Sequence, residues 1–423
     1  MTPEVKERIE QIRYGNVPEG YKKTEVGVVP SDWNAYKLGE LLDFKNGINA
    51  DKEKFGHGTK LISVRDILSD SPIVYNSIQG AVDIDMHQIE EFSVEYGDVL
   101  FQRSSENYED VGTSNVYLDP QNTAVFSGFV IRGKKKAKYN PVYFNSLLRC
   151  FYVRKQIMRQ AAGAQHINVG QESLAKVSVV LANDFEQEKI ADILMKLDKV
   201  VELKEKLLAE KQRQKKYLMQ QLLTGKKRLP GFDGEWMYVR ANQIFKNVTD
   251  KKHDGTLEVL SATQDRGIIP RSQVDIDIKY AEESLTGYKK VVKGNFVISL
   301  RSFQGGIEYS EYTGIVSPAY TVLTSIYPIE DNYYKQFFKS TDYINRLNIA
   351  VYGIRDGKQI SYDDFGRIKI PYPPLEEQKA IAAVLTTADQ EIEILKKSIE
   401  QEKQKKKSLM QLLLTGIVRV TAE

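Results

Sequence analysis

EQEKIADILMKLDKVVELKEKLLAEKQRQKKYLMQQLLTG, at residues 186–225, returns later in the chain as EQKAIAAVLTTADQEIEILKKSIEQEKQKKKSLMQLLLTG, at residues 377–416. The two stretches align without a gap, at a constant offset of 191 residues. An internal repeat of this length decides the architecture of a chain. We therefore expect two similar halves, each of which ends in one copy of the repeated segment.

Each copy of the repeat is predicted to form one long helix. Neither copy contains Gly or Pro before Gly225 or Gly416, and glycine is a common stop at the carboxyl end of a helix. Apolar residues recur in alternating steps of four and three, which is the heptad pattern of a coiled coil. At 1.5 Å per residue, a helix of roughly 38 residues is about 57 Å long. The apolar seam consists of Ile190, Leu194, Leu197, Val201, Leu208, Leu218 and Leu222 in the first copy, and of Ile381, Leu385, Ala388, Ile392, Leu395, Ile399, Leu409 and Leu413 in the second.

Some seam positions carry charged residues, namely Lys204, Lys211, Lys215, Glu402 and Lys406. Two interpretations remain open. In the first, the seam is weak there and the long side chains reach solvent along their apolar stems. In the second, these stretches face partner subunits.

The charges along the two helices predict how they pair. Both helices begin acidic and end basic, so a parallel pair would bring like charges together. An antiparallel pair places each acidic start beside a basic end. The intervening segment agrees with this, because the ends of a compact domain are often close together. The expected fold class is α+β, with two similar globular domains separated by an antiparallel coiled coil and related by a pseudo-two-fold repeat.

The two globular segments share landmarks. Each has a Trp near its start, a strand-like run that ends close to an arginine, and a final alternating strand. We expect Arg103 and Arg301 to occupy matching places beyond those strands. Short helices are predicted at 142–161 and 332–350, and polar loops at 163–168 and 353–359. Each half is predicted to be α+β with an antiparallel sheet.

Composition limits the possible classes of protein. With 423 residues, two or three domains are expected, and the net charge of +3 neither favours nor disfavours a nucleic-acid binder. Cys150 is the single cysteine, which excludes an internal disulfide and fits a reducing cytoplasm. The charged N-terminus is no secretory signal, and no apolar run is long enough to span a membrane. We therefore expect a cytoplasmic protein.

Catalytic signatures are weak. The four histidines lack metal-ligand spacing, and no phosphate-binding glycine loop is present. Asn140-Pro141-Val142-Tyr143 faintly resembles the Asn-Pro-Pro-Tyr of adenine methyltransferases, but one position differs and no glycine-rich loop accompanies it. The chain is therefore expected to be non-catalytic, with no metal and no cofactor of its own.

The chain resembles the specificity subunit of type I restriction-modification systems over nearly its whole length. The resemblance depends on the opening Gly20–Gly27 with Pro30 and Trp33, on Pro373-Pro374-Leu375-Glu376-Glu377-Gln378, and on Leu-Leu-Thr-Gly at 222–225 and 413–416. The first copy departs from the pattern, because 181–185 replaces the Pro-Pro-Leu.

The resemblance implies a division of the chain. It implies two target recognition domains, each of which reads one half of a split site in double-stranded DNA, and spacer helices that dock two methyltransferase subunits. Restriction (translocase) subunits can join, and S-adenosylmethionine, ATP and Mg²⁺ are expected on those partners. The expected boundaries are an N-terminal helical extension at 1–20, recognition domains at 21–185 and, with the linker, 226–375, spacer helices at 186–225 and 376–416, and a tail at 417–423.

Base and phosphate contacts need basic or amide side chains on loops that reach the duplex. The candidates are Lys45, Asn49, Arg65, Gln102, Arg103, Ser104 and Asn107 in the first half, and Lys251, His253, Gln264, Arg266, Arg301, Ser302 and Gln304 in the second. The cluster Lys134–Lys136 with Lys138 is either a phosphate contact or a solvated turn. Two other classes of protein remain open: a coiled-coil interaction scaffold without DNA specificity, and a stand-alone enzyme.

Overall fold

The computed structural model describes residues 2–163, 166–274, 282–350 and 360–420. The chain divides into two compact units, of which the first comprises Met1–Leu203 with Ile399–Glu423 and the second comprises Lys204–Ser398. Each unit contains one globular half together with part of both long helices. The repeat is therefore interleaved, since the carboxyl end of the chain belongs to the first unit. Residues 164–165 of the expected polar loop 163–168, and the whole of the expected loop 353–359, lie outside the described residues.

The globular part of the first unit alternates short strands and short helices. Its elements are α1 (Pro3–Arg13), β1 (Tyr21–Thr24), β2 (Gly27–Pro30), β3 (Asn34–Lys37), α2 (Leu38–Leu41), β4 (Leu42–Asn46), β5 (Phe55–Ile62), α3 (Val64–Ile67), β6 (Ala81–Val82), α4 (Met86–Glu91), β7 (Val99–Gln102), β8 (Ser104–Ser105), β9 (Ser114–Val116), β10 (Val125–Phe126), β11 (Val130–Lys135), α5 (Pro141–Leu148), α6 (Phe151–Gln160), β12 (Ile167–Asn168), α7 (Gln171–Ala175) and β13 (Ser178–Leu181). The long helix α8 (Asp184–Leu222) follows.

The second unit repeats this order with differences in the loops. Its elements are β14 (Met237–Arg240), α9 (Ala241–Ile244), β15 (Phe245–Val248), β16 (Leu260–Thr263), β17 (Gly267–Pro270), β18 (Lys289–Val291), β19 (Phe296–Ile298), α10 (Ser302–Gly305), β20 (Glu308–Tyr309), β21 (Gly314–Val316), β22 (Thr321–Ser325), α11 (Asp331–Phe337), α12 (Thr341–Ala350), α13 (Tyr362–Arg367), β23 (Lys369–Tyr372) and the long helix α14 (Leu375–Leu414).

The central sheets of the two units have the same topology. Their strand orders are β4-β11-β7-β9 and β15-β22-β19-β20, and every neighbouring pair in both is antiparallel. In each unit a further antiparallel pair, β3 with β13 or β14 with β23, joins the start of the globular part to its last strand. The structure therefore confirms the α+β class and the internal repeat. The short pair formed by β5 and β10 is parallel, whereas the sequence predicts an antiparallel sheet for this half.

The long helices run antiparallel within each unit. In the first, the start of α8 contacts the end of the chain, since Arg419 bonds to Glu186 and Lys406 to Asp198. In the second, Lys211 Nζ lies 2.7 Å from Glu391 Oε2. The seam residues are buried or half-buried along both helices, with exposed residues between them. Gly225 and Gly416 adopt φ angles of 69° and 70°, which end these helices in the left-handed region.

The seam lysines have acceptors on the opposite helix. Lys215 Nζ lies 2.5 Å from Asp389 Oδ1, and Lys204 Nζ donates to Ser398 Oγ at 2.8 Å. These contacts favour an internal role for the charged seam positions. Each predicted short-helix segment proves to be two helices, α5 with α6 and α11 with α12. Among the described residues, no helix is long and apolar enough to span a membrane.

Candidate nucleic-acid interface

In the first unit, the candidates at the end of β7 lie on one segment, Gln102–Ser104, which contacts the Gly128–Phe129 turn and Asn168. Gln102 is buried and its Nε2 donates to the Ser104 carbonyl at 2.9 Å, while Ser104 Oγ bonds to the Asn168 side chain. The half-buried Arg103 directs Nη1 toward the carbonyl of Gly128, at 3.4 Å. Its backbone N–H donates to the Phe129 carbonyl at 2.9 Å. The strand therefore holds Arg103 and Ser104 in defined positions.

Asn49 and Asn107 extend this surface. A Cβ on Gly128 would collide with the side-chain oxygen of Asn49, so the Asn49 side chain packs directly against the Gly128 turn. Asn107 is exposed in the loop between β7 and β9, and its amide donates to Asp110 Oδ2 at 3.3 Å. We call Asn49, Arg103, Ser104 and Asn107 the β7 surface, and Gln102 lies buried beneath it.

Phe129 lies beside the β7 surface and is 67% exposed. No sequence pattern predicts this exposure, because a single Phe before a strand is usually a core residue. Lys45 and Arg65 occupy other places. Lys45 forms an ion pair with Glu91 at 2.7 Å, and its ammonium lies 4.6 Å from the centroid of the Phe92 ring. Arg65 is exposed on α3.

In the second unit, the loops after β16 and β19 contact one another. The atoms nearest to a Cβ built on Gly305 would be those of the Gln264 side chain, and Arg301 and Gln304 lie exposed nearby in sequence. Ser302 is buried, where its Oγ accepts from the Ser299 N–H at 2.8 Å. Ser302 is therefore occupied in shaping the turn. Arg266 is exposed and donates to the Gln273 carbonyl at 3.1 Å.

A second basic group of this unit lies around Tyr320, whose backbone carbonyl accepts from Lys289 Nζ at 2.5 Å. Burial raises the pKa of Tyr320, against the effect of the nearby guanidinium groups of Arg271 and Arg301. Burial, together with the charge of Lys251, lowers the pKa of Lys289. Lys251 and Arg301, which were predicted, are thus accompanied by Arg271 and Lys289, which were not. No local pattern distinguishes these two residues from the many other basic residues of the chain.

His253 is held by the backbone. Its Nδ1 accepts from the Gly255 N–H at 3.2 Å, which leaves the proton on Nε2, 2.9 Å from the Tyr288 carbonyl. Both ring nitrogens therefore have backbone partners in the structure, which gives His253 a local structural role.

The sheet register corrects the expected match between the two arginines. Val99 pairs with Gly133 and Val116, whereas Phe296 pairs with Leu323 and Tyr309. Counting forward from these equivalent positions aligns Arg103 with Leu300, so that Arg301 corresponds to Ser104. The two arginines are thus displaced by one residue. Arg103 directly follows β7, whereas Arg301 lies three residues beyond the end of β19, at the N-cap of α10.

Two other motifs have structural explanations. Asn140 is the N-cap of α5, and its Oδ1 accepts from the N–H groups of Val142 and Tyr143 at 3.0 and 3.1 Å. The Asn-Pro-Val-Tyr sequence is therefore a helix start. In the lysine cluster, Lys134 pairs with Glu95 and Lys138 with Asp184. Among the described residues, no group of three or more His, Cys, Asp or Glu could hold a metal ion.

The class of protein follows from two features. The two sheets are equivalent but carry different polar loops, and the two long helices pair antiparallel. The family model for the type I restriction modification DNA specificity domain matches the chain twice, at residues 30–212 and 234–404. The chain belongs to this family of DNA-specificity subunits, as its sequence motifs predict. A coiled-coil scaffold without DNA specificity is not favoured.

Individual relatives agree with the family. The chain is 28% identical to a Methanocaldococcus jannaschii protein that is provisionally designated the MjaX type I restriction enzyme specificity subunit, over 95% of this chain and 97% of that protein. The fold is similar to a chain in a structure of type I restriction-modification complex assembly (TM-score 0.61, 17% identity, 92% of this chain and 99% of that one). It is also similar to the HsdS subunit from Thermoanaerobacter tengcongensis (TM-score 0.51, 19% identity, 92% and 97%).

Proposed function

We propose that the two globular halves each read one half of a bipartite, gapped site in double-stranded DNA. The observation that carries the proposal is the pair of central sheets, which share strand order and register but carry different polar loops. A common scaffold with different loops suits two readers of different sequences, because base contacts depend on individual side chains. In this proposal the β7 surface and the exposed Arg65 serve one half-site, and Arg301, Gln304, Gln264 and the basic group around Tyr320 serve the other.

The chain then provides DNA specificity within a larger complex and performs no chemistry by itself. The antiparallel helices dock two methyltransferase subunits, and restriction (translocase) subunits join that assembly. S-adenosylmethionine, ATP and Mg²⁺ are used by those partners, in the cytoplasm. The names of the relatives support this arrangement, since they are specificity subunits of type I restriction enzymes.

The proposed division of labour follows the boundaries expected from the sequence. Residues 21–185 form one recognition domain and 226–375, with the linker, the other, while 186–225 and 376–416 are the spacers. Residues 1–20 and 417–423 are extensions. The bond from Arg8 Nη1 to the Ile417 carbonyl, at 2.6 Å, ties the two extensions together.

Selection from a randomised duplex library tests the proposal. The full chain, bound to its methyltransferase subunits, should enrich one motif of two short defined blocks separated by unread base pairs. Enrichment should persist as salt rises, since base contacts survive while the phosphate contribution weakens. Enrichment of a single continuous block, or of no motif, would contradict the proposal. Methyl transfer by the chain alone would refute its non-catalytic role.

A further inference from the structure

One basic residue occupies the same place in both units. The N-caps of α5 and α11 are Asn140 and Glu330, and their backbone N–H groups donate to the side-chain oxygens of Gln187 and Gln378 at 2.9 and 3.0 Å. The two helices thus start at equivalent positions in the two units. Nine residues after these caps lie Arg149 and Lys339, each just past the end of its helix.

In the first unit, Arg149 donates to the backbone of two neighbouring segments. Its Nε lies 3.0 Å from the Ser114 carbonyl at the start of β9. Its Nη2 lies 3.4 Å from the Ile67 carbonyl and 3.0 Å from the Ser69 carbonyl, at the end of α3 and just beyond it. Arg149 therefore fixes the helix that carries Arg65 against the β7–β9 hairpin. Burial lowers the pKa of Arg149, which fits a guanidinium withdrawn from solvent.

In the second unit, Lys339 does the same for the loops after β16 and β19. Its Nζ lies 3.2 Å from the Gln264 carbonyl and 2.9 Å from the Gly305 carbonyl, and it also bonds to Glu308 Oε1. Glu308 is 2% exposed, and its register position on β20 matches Asn115 on β9. The Asn115 amide in turn donates to the carbonyls of Asp66, Ser69 and Ser71.

We propose that Arg149 and Lys339 are equivalent positioning residues, which set base discrimination at one half-site each. Arg149 would act by holding α3, which carries the candidate Arg65, and Lys339 by holding the loops after β16 and β19. This inference rests on the proposed function. The bonds of both side chains to loop carbonyls distinguish them from the basic residues of a phosphate-binding surface. Loss of either residue should loosen the loops of its own unit and leave the other unit's half-site unaffected.

The salt dependence of binding separates positioning from direct phosphate contact. A lysine or arginine that neutralises a phosphate contributes about one unit to the slope of log K against log salt. Arg149→Met and Lys339→Met should keep the wild-type slope. Each should also lower, by about tenfold, the preference for the selected motif over a duplex with one base pair changed in one block, which is the scale of one good base contact.

The probe is the motif selected with the wild-type chain, and the protein is the full chain bound to its methyltransferase subunits. Lys339→Arg should restore discrimination, because the side chain keeps its charge and reach. Lys339→Met combined with Glu308→Gln tests whether an unpaired buried carboxylate, rather than the loops, causes the defect. The exposed Arg159 on α6 and Arg367 on α13 supply matched controls, and their Met variants should behave as wild type.

The outcomes distinguish this inference from the proposed function. Unchanged discrimination in folded Arg149→Met and Lys339→Met, with defects in Arg103→Ala and Arg301→Ala, would overturn the positioning role alone. A slope reduced by about one unit would overturn it too, since it would show direct phosphate contact. If the Ala variants also left discrimination unchanged, the proposed interface itself would fail.

Discussion

At the scale of single residues, a buried carboxylate near the start of each long helix binds a tryptophan and an arginine. Glu186 is 2% exposed and accepts bonds from Trp33 Nε1 and from Nε and Nη2 of Arg419, all at 2.8 Å. Glu377, fully buried in the second unit, accepts from Trp236 and Arg228 in the same way. Arg228 and Arg419 are themselves 191 residues apart, so the repeat extends into these contacts.

Replacing Glu186 should destabilise the first unit, because Trp33 would lose its buried acceptor and Arg419 would keep only Asp32 as an acceptor. We expect Glu186→Ala to lower the free energy of unfolding by about 3 kcal/mol. The chain has two tryptophans, one beside each carboxylate, so urea unfolding of a Trp236→Phe background, followed by fluorescence, reports on Trp33. The exposed Glu25, replaced by Gln, is the control and should leave the unfolding curve unchanged.

Lys45 is the candidate whose place in the structure argues most directly against a role in DNA binding. Its ammonium is shared between the Glu91 carboxylate and the face of the Phe92 ring. We therefore expect Lys45→Ala to retain affinity for the selected motif within about twofold, which corresponds to less than 0.5 kcal/mol. Arg103→Ala should weaken binding at least tenfold in the same filter-binding titration. A large loss with Lys45→Ala would place β4 in the interface.

At the scale of elements, the long helices were the most predictable part of the molecule. Their bounds, 184–222 and 375–414, follow from a heptad pattern and from Gly225, Gly416 and Pro374, all of which act locally. The sheet register could not be predicted in this way, because pairing of Val99 with Gly133 depends on residues distant in sequence. The alignment of Arg103 with Arg301 was wrong by one residue for this reason. For the same reason, no local sequence pattern predicts the contacts of Arg149 and Lys339.

Asp389 joins three elements beside the seam of the second unit. Its two oxygens bind Lys215 Nζ at 2.5 Å and Gln336 Nε2 at 2.6 Å, which links both long helices to α11. We expect Asp389→Ala to lower the free energy of unfolding by about 1–2 kcal/mol, because it leaves a largely buried ammonium without its acceptor. Glu393→Ala, on an exposed face of α14, is the control. Equal stabilities for the two variants in urea titrations would contradict a role of Asp389 in joining these elements.

At the scale of the whole molecule, the interleaved repeat makes each unit a combination of both halves of the sequence. The first unit needs the end of the chain, since Leu413 and Leu414 belong to its core cluster with Trp33 and Ile190. The second unit uses Leu222 and Leu223 in the equivalent way. A repeat at a constant offset predicts this exchange once the helices are known to be antiparallel. The bases that each unit reads depend on loop side chains, which the repeat does not constrain.

Exchange of residues 33–185 for the corresponding segment of another family member should change one block of the selected motif. The two sheets are separate, and each reading surface is built from residues of its own unit. Selection from the randomised library, repeated with the chimera, measures the result. The chimera retains the wild-type spacer helices, so the number of unread base pairs should stay the same. Changes in both blocks would contradict independent reading.

The spacer helices should set the number of unread base pairs. One heptad inserted between Leu203 and Lys204, and another between Ser398 and Ile399, lengthens both helices where they pass from one unit to the other. Seven residues keep the seam in phase and add about 10.5 Å, which matches about three base pairs at 3.4 Å each. The selected motif should keep both blocks and gain about three unread positions.

A four-residue insertion at the same two points is the contrasting variant. It shifts the seam out of phase, so the apolar residues of the two helices no longer meet over the inserted stretch. We expect this variant to unfold at lower urea concentration and to select its motif poorly, whereas the heptad variant retains wild-type stability. A heptad variant that folds normally and selects the original spacing would show that the gap is set by the partner subunits or by the DNA, and not by the length of these helices.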